Sequence, residues 1–495
     1  MLVRFREHVR TCPASDFLLP ARFAQSEHYK VMHHDLAGPY SVHPMAFKPE
    51  TVPTDILYLL LEYLTDRRDL HSAALTSRSF NRAATPLLYR TLDTRTKWED
   101  KEVGHLADRA APRHYAAEET GIGPPCVVHS SHPTVTYTVL SSLALCENLY
   151  SFTWIDDNYS SGAVFISFLN ALKKLPLRAI TVRTYSDLGE PAWAALNSLT
   201  GLQKIAIWCM DGPPRVLQGW ADLLGGTLTE LELGRCAGVP ASILISVLSK
   251  LPLLRELRLK GAPSAAIPDI LTYLPSLVTL DTEFLGSGIL RPADDPVPRL
   301  QSLTVRTSSV DLQGPQQLWV WLRQLIPYPS LETFTLNAFS TQGQTTIPRH
   351  FLLSLARIHG STLRRFLVNM TQLTLEDVEC LCTLFPQLQE LSCGVASPDA
   401  ASIEHAIAKS RNLHTLKLHV HWIPGDNYPG SYSPNSPSTR FTKVEAESLM
   451  LRSNIRVLSM GPHHYTGMWV RKVRESGKYD LVFEVVEDMI YDGWV

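Results

Sequence analysis

The chain has 495 residues, with 46 Lys and Arg against 48 Asp and Glu, which gives a formal net charge of −2. This balance lacks the basic excess that phosphate contacts require, so it argues against a nucleic-acid partner. Hydrophobic residues at 45% and charged residues at 19% are typical of a folded protein. The eight cysteines show no zinc-site spacing, and no apolar run reaches the length of a membrane span. We therefore expect a cytoplasmic or nuclear protein with no membrane partner and no metal.

Residues 1–48 contain several histidines, but their spacing does not match that of metal ligands. We expect a poorly ordered N-terminal extension there.

Residues 52–92 show the periodicity of three short helices. The second would be capped by Asp66, and the third would begin at Pro86. The first helix carries one broad apolar face made of Ile56, Leu57, Leu60, Leu61 and Leu64. Because so many Leu and Tyr side chains exceed what three short helices can bury among themselves, we expect a partner surface on this unit.

The same stretch resembles the F-box family, with Val52 where the family usually has Leu. The matching segments are VPTDI at 52–56, YL at 63–64, DLHSAAL at 69–75, SRSF at 77–80 and PLLYRTL at 86–92, the last of a kind common in fungal members. The resemblance implies a three-helix F-box that binds the Skp-type adaptor of a Skp–cullin–F-box ubiquitin ligase. It implies these adaptor-binding residues: Pro53, Ile56, Leu57, Leu60, Leu64, Leu70, Leu75 and Phe80. The alternative for each is packing inside the module.

After a polar segment at 96–140, one phrase recurs twelve times: Leu, two residues, apolar, one residue, apolar. The copies are 23 to 32 residues apart, except for a spacing of 42 before the last, which contains a Pro/Gly/Ser-rich loop at 423–439. The copies begin at Leu149, Leu177, Leu202, Leu228, Leu254, Leu277, Leu300, Leu331, Leu363, Leu388, Leu413 and Ile455. Segments with helical periodicity lie between them, such as 163–175, 241–251 and 375–385.

This phrase resembles the core of leucine-rich repeats, although the copies are degenerate. The resemblance implies an α/β fold in which the F-box precedes an irregular solenoid, a horseshoe of parallel strands and helices. The alternative is an ordinary α/β domain with parallel strands. We expect five parts: an extension (1–48), an F-box domain (49–95), a linker (96–140), a repeat domain (141–470) and a C-terminal cap (471–495), in which 479–486 form a closing strand.

Strand alternation places the residues between the apolar positions of each phrase on the outer face. Such a mixed-charge face with a Trp suits protein recognition, and the alternative is an ordinary solvated strand face. The predicted substrate-binding residues are Lys204, Trp208, Glu230, Glu232, Glu256, Arg258, Lys260, Asp281, Glu283 and Arg306. Arg183, Arg365, Lys417 and His419 share the outward pattern.

The sequence carries no phosphate-binding loop, nucleophile elbow or metalloprotease motif. We therefore expect a non-catalytic subunit without a cofactor. The F-box resemblance implies that it binds an adaptor, through it a cullin, and an unknown substrate protein. The alternative is a repeat scaffold that uses its F-box-like helices outside ubiquitin transfer.

Overall fold

The structure of the protein is a computed structural model. It describes residues 2–7, 53–64, 67–88, 91–93, 140, 143, 149–156, 162–286, 296–307, 314–338, 347–395, 400–420, 441–461, 463–473 and 479–489. The predicted linker at 96–140 and the loop at 423–439 lie outside the described residues, apart from position 140.

Three helices form a small helical module at residues 53–88: α1 (Thr54–Glu62), α2 (Arg67–Ala74) and α3 (Arg78–Leu88). Their shared core consists of Leu57, Leu61, Leu70, Ala74, Ala83, Ala84 and Leu87. The alanines allow the helices to approach closely, while the leucines supply most of the buried apolar area.

The third helix begins at Arg78, so the predicted start at Pro86 is wrong. The Ser77 hydroxyl accepts a hydrogen bond from the Phe80 N–H at 3.2 Å, which satisfies one of the free donors of the first turn. Pro86 lies in the last turn instead, where the backbone bond that proline removes is one of the final ones of the helix.

The rest of the described chain forms one open sheet of mostly parallel strands, with helices between them. Each of the twelve repeated phrases forms a strand, as predicted. The strands are β3 (Leu149–Asp156), β4 (Ala179–Thr184), β5 (Lys204–Cys209), β6 (Glu230–Leu233), β7 (Glu256–Leu259), β8 (Thr279–Phe284), β9 (Ser302–Thr307), β10 (Thr333–Ala338), β11 (Arg365–Leu373), β12 (Glu390–Val395), β13 (Thr415–Val420) and β14 (Val457–Met460). Each pairs in parallel with the next along the chain, an arrangement that is compatible with a solenoid.

The helices between these strands bury an apolar side against the sheet. They are α4 (Gly162–Leu172), α5 (Glu190–Asn197), α6 (Ala221–Leu224), α7 (Ala241–Leu248), α8 (Ala266–Thr272), α9 (Gly314–Leu325), α10 (Arg349–His359), α11 (Leu375–Leu384), α12 (Ala400–Ile407) and α13 (Lys443–Arg452). Alternate strand residues and helix residues join in one continuous core that extends from Leu143 to Val485. No described unit of one strand and one helix buries its apolar side alone, so contacts between neighbouring units hold the sheet and its helices together.

Antiparallel strands lie at both ends of the sheet. At one end, β1 (Leu2–Glu7) pairs with β3, and β2 (Thr91–Asp93), just after the helical module, pairs with β1. Residues 8–48 of the predicted N-terminal extension lie outside the described residues. At the other end, β15 (His463–Val473) and β16 (Tyr479–Met489) follow β14, which confirms the predicted closing strand.

A buried histidine at the end of α10 links two neighbouring strand-and-helix units by hydrogen bonds. The Nδ1 atom of His359 accepts a hydrogen bond from the Leu331 N–H at 3.3 Å, and its Nε2–H donates to the Ile326 carbonyl at 3.1 Å. Burial lowers the pKa of His359, against a smaller opposite effect of the Ile326 carbonyl. The neutral imidazole therefore fits this place, because it needs one donor and one acceptor.

Candidate protein-interaction surfaces

Helix α1 carries two apolar stripes on different sides. One stripe faces the core of the helical module, where Leu57 is 0% exposed and Leu61 is 3% exposed. The other faces solvent. We call it the α1 stripe, and it consists of Ile56, Leu59, Leu60 and Tyr63, of which Tyr63 is 85% exposed. These positions are three, four and seven residues apart, so they lie along one side of the helix.

The α1 stripe leaves much apolar area in water, and Leu75, just after α2, is exposed as well. Burying a Leu side chain that is left in water gains roughly 1.5–3 kcal/mol, so a complementary groove would bind this stripe strongly.

The structure divides the predicted adaptor-binding residues into three groups. Pro53, Ile56, Leu60 and Leu75 are exposed, while Leu64 and Phe80 are partly buried against the core of the module. Leu57 and Leu70 are buried in that core, so the alternative of internal packing holds for them and their assignment as contacts is corrected. The reason is geometric, because one residue along a helix turns the side chain by about 100°.

Leu59 and Tyr63 were not among the predicted contacts, although both are exposed on the α1 stripe. The signal was present in the sequence, since Ile56, Leu59, Leu60 and Tyr63 follow helical spacing on their own. Treating the apolar residues of α1 as one broad face concealed that there are two.

The second candidate surface is the outer face of strands β4 to β9, where side chains contact each other from strand to strand. The Trp208 Nε1–H donates to Glu232 at 2.5 Å, and Arg258 bonds the other oxygen of that carboxylate at 3.1 Å. Arg258 also bonds Asp281 at 2.9 Å, and Arg306 reaches the same Asp281 oxygen at 2.6 Å. These five residues form a polar ladder across five neighbouring strands.

Strand register explains the polar ladder. Glu232 is paired with Arg258, and Arg258 with Asp281, so opposite charges lie side by side on adjacent strands. Cross-strand neighbours of opposite charge are a general source of sheet stability. The ladder therefore presents a pre-ordered face in which few side chains need to be fixed on binding.

Asp281 was predicted to contact a substrate, but it is only 6% exposed, and this assignment is corrected. The guanidinium groups of Arg258 and Arg306 lie on its Oδ2 atom, while Oδ1 is buried without a hydrogen-bond partner. Asp281 thus holds the two arginines in place from below the surface.

Trp208 is closely surrounded on the outer face. Gly234 leaves room for its indole, because a Cβ atom on Gly234 would lie within 2.6 Å of three of the ring atoms. The guanidinium carbon of Arg183 lies 5.3 Å from the ring centroid, and Lys260 Nζ lies 5.4 Å from it. Both distances allow cation–π attraction.

The other predicted substrate-binding residues take part in this face to different degrees. Lys204 and Glu230 form an ion pair at 2.5 Å, and Glu283 accepts a hydrogen bond from the Gly261 N–H at 2.7 Å. Glu256 is exposed at the start of β7.

A cluster that the sequence did not reveal joins the loops after β4 and β5. Asp187 bonds Arg215 at 2.6 Å and accepts from the Trp193 indole at 2.5 Å, and Arg215 lies 4.8 Å from the centre of the Trp193 ring. Burial alone would raise the pKa of Asp187, but the bonds from Arg215 and Trp193 outweigh it and lower that pKa. The cluster fixes two loops at one edge of the strand face.

The cysteines of the described ranges are free thiols. Burial raises the pKa of Cys236 and of Cys382 to about 12 each, so both stay protonated near neutral pH and are poor nucleophiles. In the same ranges, no three His, Cys, Asp or Glu side chains are grouped closely enough to hold a metal ion. None of the helices described is both long and apolar enough to cross a membrane.

Comparison with known proteins gives one finding for the helical module. A family model described as F-box-like matches residues 50–95. The match covers the three helices and the α1 stripe, so the chain contains an F-box-like domain near its N-terminus. A comparison with curated proteins finds no match.

Proposed function

We propose that this protein is the substrate-recognition subunit of a Skp–cullin–F-box ubiquitin ligase. The observation that carries the proposal is the α1 stripe, an exposed apolar surface inside the segment that matches the F-box-like family. F-box domains bind a Skp-type adaptor, and an exposed apolar stripe is what such an interface requires.

In this proposal, the sheet and its helices form a leucine-rich-repeat solenoid that holds a substrate protein. The support is the series of twelve parallel strands built on one repeated phrase, together with the pre-ordered polar ladder on their outer face. We assign the F-box to 49–95, the repeats to 141–470 and a cap to 471–495. The antiparallel strand β15 begins inside the proposed repeat range, at His463, and leads into the cap.

The protein would perform no bond chemistry itself. Its contribution would be positioning, because holding a substrate next to the ubiquitin donor raises the effective concentration of the substrate's lysines. The cullin would be reached through the adaptor, and proteasomal degradation of the substrate in the cytoplasm or nucleus would follow.

The test is co-purification of the full-length chain with a Skp-type adaptor. We expect the wild type to retain the adaptor, and a double variant, Leu59→Asp with Tyr63→Asp, to lose it while its circular dichroism spectrum is unchanged. Leu353→Asp is the matched control, because Leu353 is half exposed on α10, far from the module in the chain. Retention of the adaptor by the double variant would contradict the proposal.

A second candidate is an interaction scaffold that uses its F-box-like domain outside ubiquitin transfer. It is favoured by the limited reach of the family match, which ends at residue 95 and therefore says nothing about the sheet. The two candidates differ in whether a cullin joins the complex. An adaptor complex that contains no cullin would support the scaffold.

A further inference from the structure

We propose that Arg183, Trp208 and Lys260 form a site for an anionic side chain, a phosphorylated residue or a carboxylate, of the bound substrate segment. This inference rests on the proposed function, since it assumes that the strand face binds a substrate. It names the chemistry that the face would recognise.

The cations on this face differ in whether they form ion pairs. Lys204 is paired with Glu230, and Arg258 and Arg306 are both paired with Asp281. Arg183 and Lys260 differ from them. Within the ranges that the structure covers, neither forms an ion pair, and the contact of each charged group is with the Trp208 ring.

These residues lie in one row that crosses adjacent strands of the sheet. Arg183 is in register with Trp208, and Gly234 and Lys260 lie one residue beyond the register pair Leu233 and Leu259. The four positions thus form one row across adjacent strands, and the indole spans the gap that Gly234 leaves. Both cations are exposed, so an incoming anion can reach them.

The carboxylates nearest to this row already accept hydrogen bonds from other groups. Glu232 receives the Trp208 Nε1–H and Arg258, and Glu283, next to Lys260 in the row, accepts the Gly261 N–H. Asp211, two residues beyond β5, is exposed as well. Because the Gly261 N–H is neutral, Glu283 keeps its charge beside Lys260. Within the row, the two cations Arg183 and Lys260 therefore outnumber this one carboxylate.

The chemistry of the three side chains fits an anion on a peptide. A guanidinium offers two parallel donors to a carboxylate or phosphate, and an ammonium adds a point charge. The indole gives the flanking peptide an apolar platform that Glu232 holds in a fixed orientation. Weak cation–π attraction, about 0.5–1 kcal/mol at exposed sites, positions both cations without neutralising them.

The experiment measures retention of synthetic peptide pools by the purified full-length chain. Three pools share randomised flanks and carry a central phosphoserine, aspartate or serine. We expect the phosphoserine or aspartate pool to be retained at least about fivefold better than the serine pool, with the advantage decreasing at high salt. A preference for phosphoserine over aspartate identifies phosphate as the ligand, and equal retention identifies the carboxylate chemistry. Anionic pools retained no better than serine would overturn the inference.

Substitutions test whether a preference for anionic peptides arises from this row of residues. Arg183→Gln with Lys260→Gln should abolish it, whereas Lys250→Gln, which removes a cation that is paired with Asp222 just after α7, should leave it within about twofold. Gly234→Ala should also weaken it without removing a charge, because the added Cβ displaces the indole. A preference that survives the Arg183 and Lys260 double variant contradicts the inference. Adaptor binding is measured separately, so its failure is distinguishable from failure here.

Discussion

The helical module and the strand face offer opposite surfaces to a partner. The α1 stripe is apolar and exposed, whereas the strand face is charged and most of its charges are already paired with each other. A small module can devote an apolar side of one helix to a constant partner, because the opposite side suffices for its own core. In the proposed function, the strand face instead has its selectivity in the few groups that remain unpaired.

The largest expected effect comes from breaking the polar ladder at its buried member. Asp281→Ala leaves Arg258 and Arg306 close together without their shared carboxylate, so we expect the free energy of unfolding to fall by about 3–5 kcal/mol. The measurement is urea unfolding. Asp222→Ala is the control, since its exposed pair with Lys250 should contribute less than about 1 kcal/mol. Equal losses for both variants would show that the ladder is an ordinary surface feature.

The next effect separates the two sides of α1 with the same substitution. Leu57→Ala removes a buried side chain and should lower the stability of the module by about 2–5 kcal/mol, seen as faster hydrogen exchange over residues 53–88. Leu60→Ala should leave exchange nearly unchanged and weaken adaptor binding by about 1–2 kcal/mol. The opposite pattern would mean that the two stripes have been assigned to the wrong sides.

A smaller effect is expected at the start of α3. Ser77→Ala removes the acceptor for the Phe80 N–H and should destabilise the module by about 1 kcal/mol, again by hydrogen exchange. Thr76→Ala serves as the control, because the exposed Thr76 hydroxyl donates to the Ala73 carbonyl and caps no free N–H. If the two variants behave alike, Ser77 does not cap the helix.

The smallest expected effect is the pH dependence that His359 gives to the stability of the sheet and its helices. Because the pKa of His359 is lowered in the folded state, the unfolded chain takes up the proton first as the pH falls below about 6.5. This histidine's contribution to stability is therefore complete above that pH and is lost below it, with a slope of at most about 1.4 kcal/mol per pH unit. His359→Gln should flatten the slope between pH 5 and 7, and an unchanged slope would exclude His359 as its source.

The periodicity of the sequence predicted the strands and most helices, because spacing between apolar residues reports which side of an element is buried. It could not separate the two sides of α1, since both are apolar. Nor could alternation show that Asp281 is buried, because that depends on Arg258 and Arg306 from neighbouring strands. The start of α3 was missed because proline often begins a helix, which favoured Pro86, whereas the Ser77 hydroxyl caps a helix that begins at Arg78.

The central claim is tested most directly by titrating the full-length chain with a Skp-type adaptor in a calorimeter at several temperatures. We predict a complex with a dissociation constant in the micromolar range or below and a negative heat-capacity change, which reports burial of the apolar α1 stripe. Absence of binding at micromolar concentrations, or binding that is unchanged by Leu59→Asp with Tyr63→Asp, would contradict it.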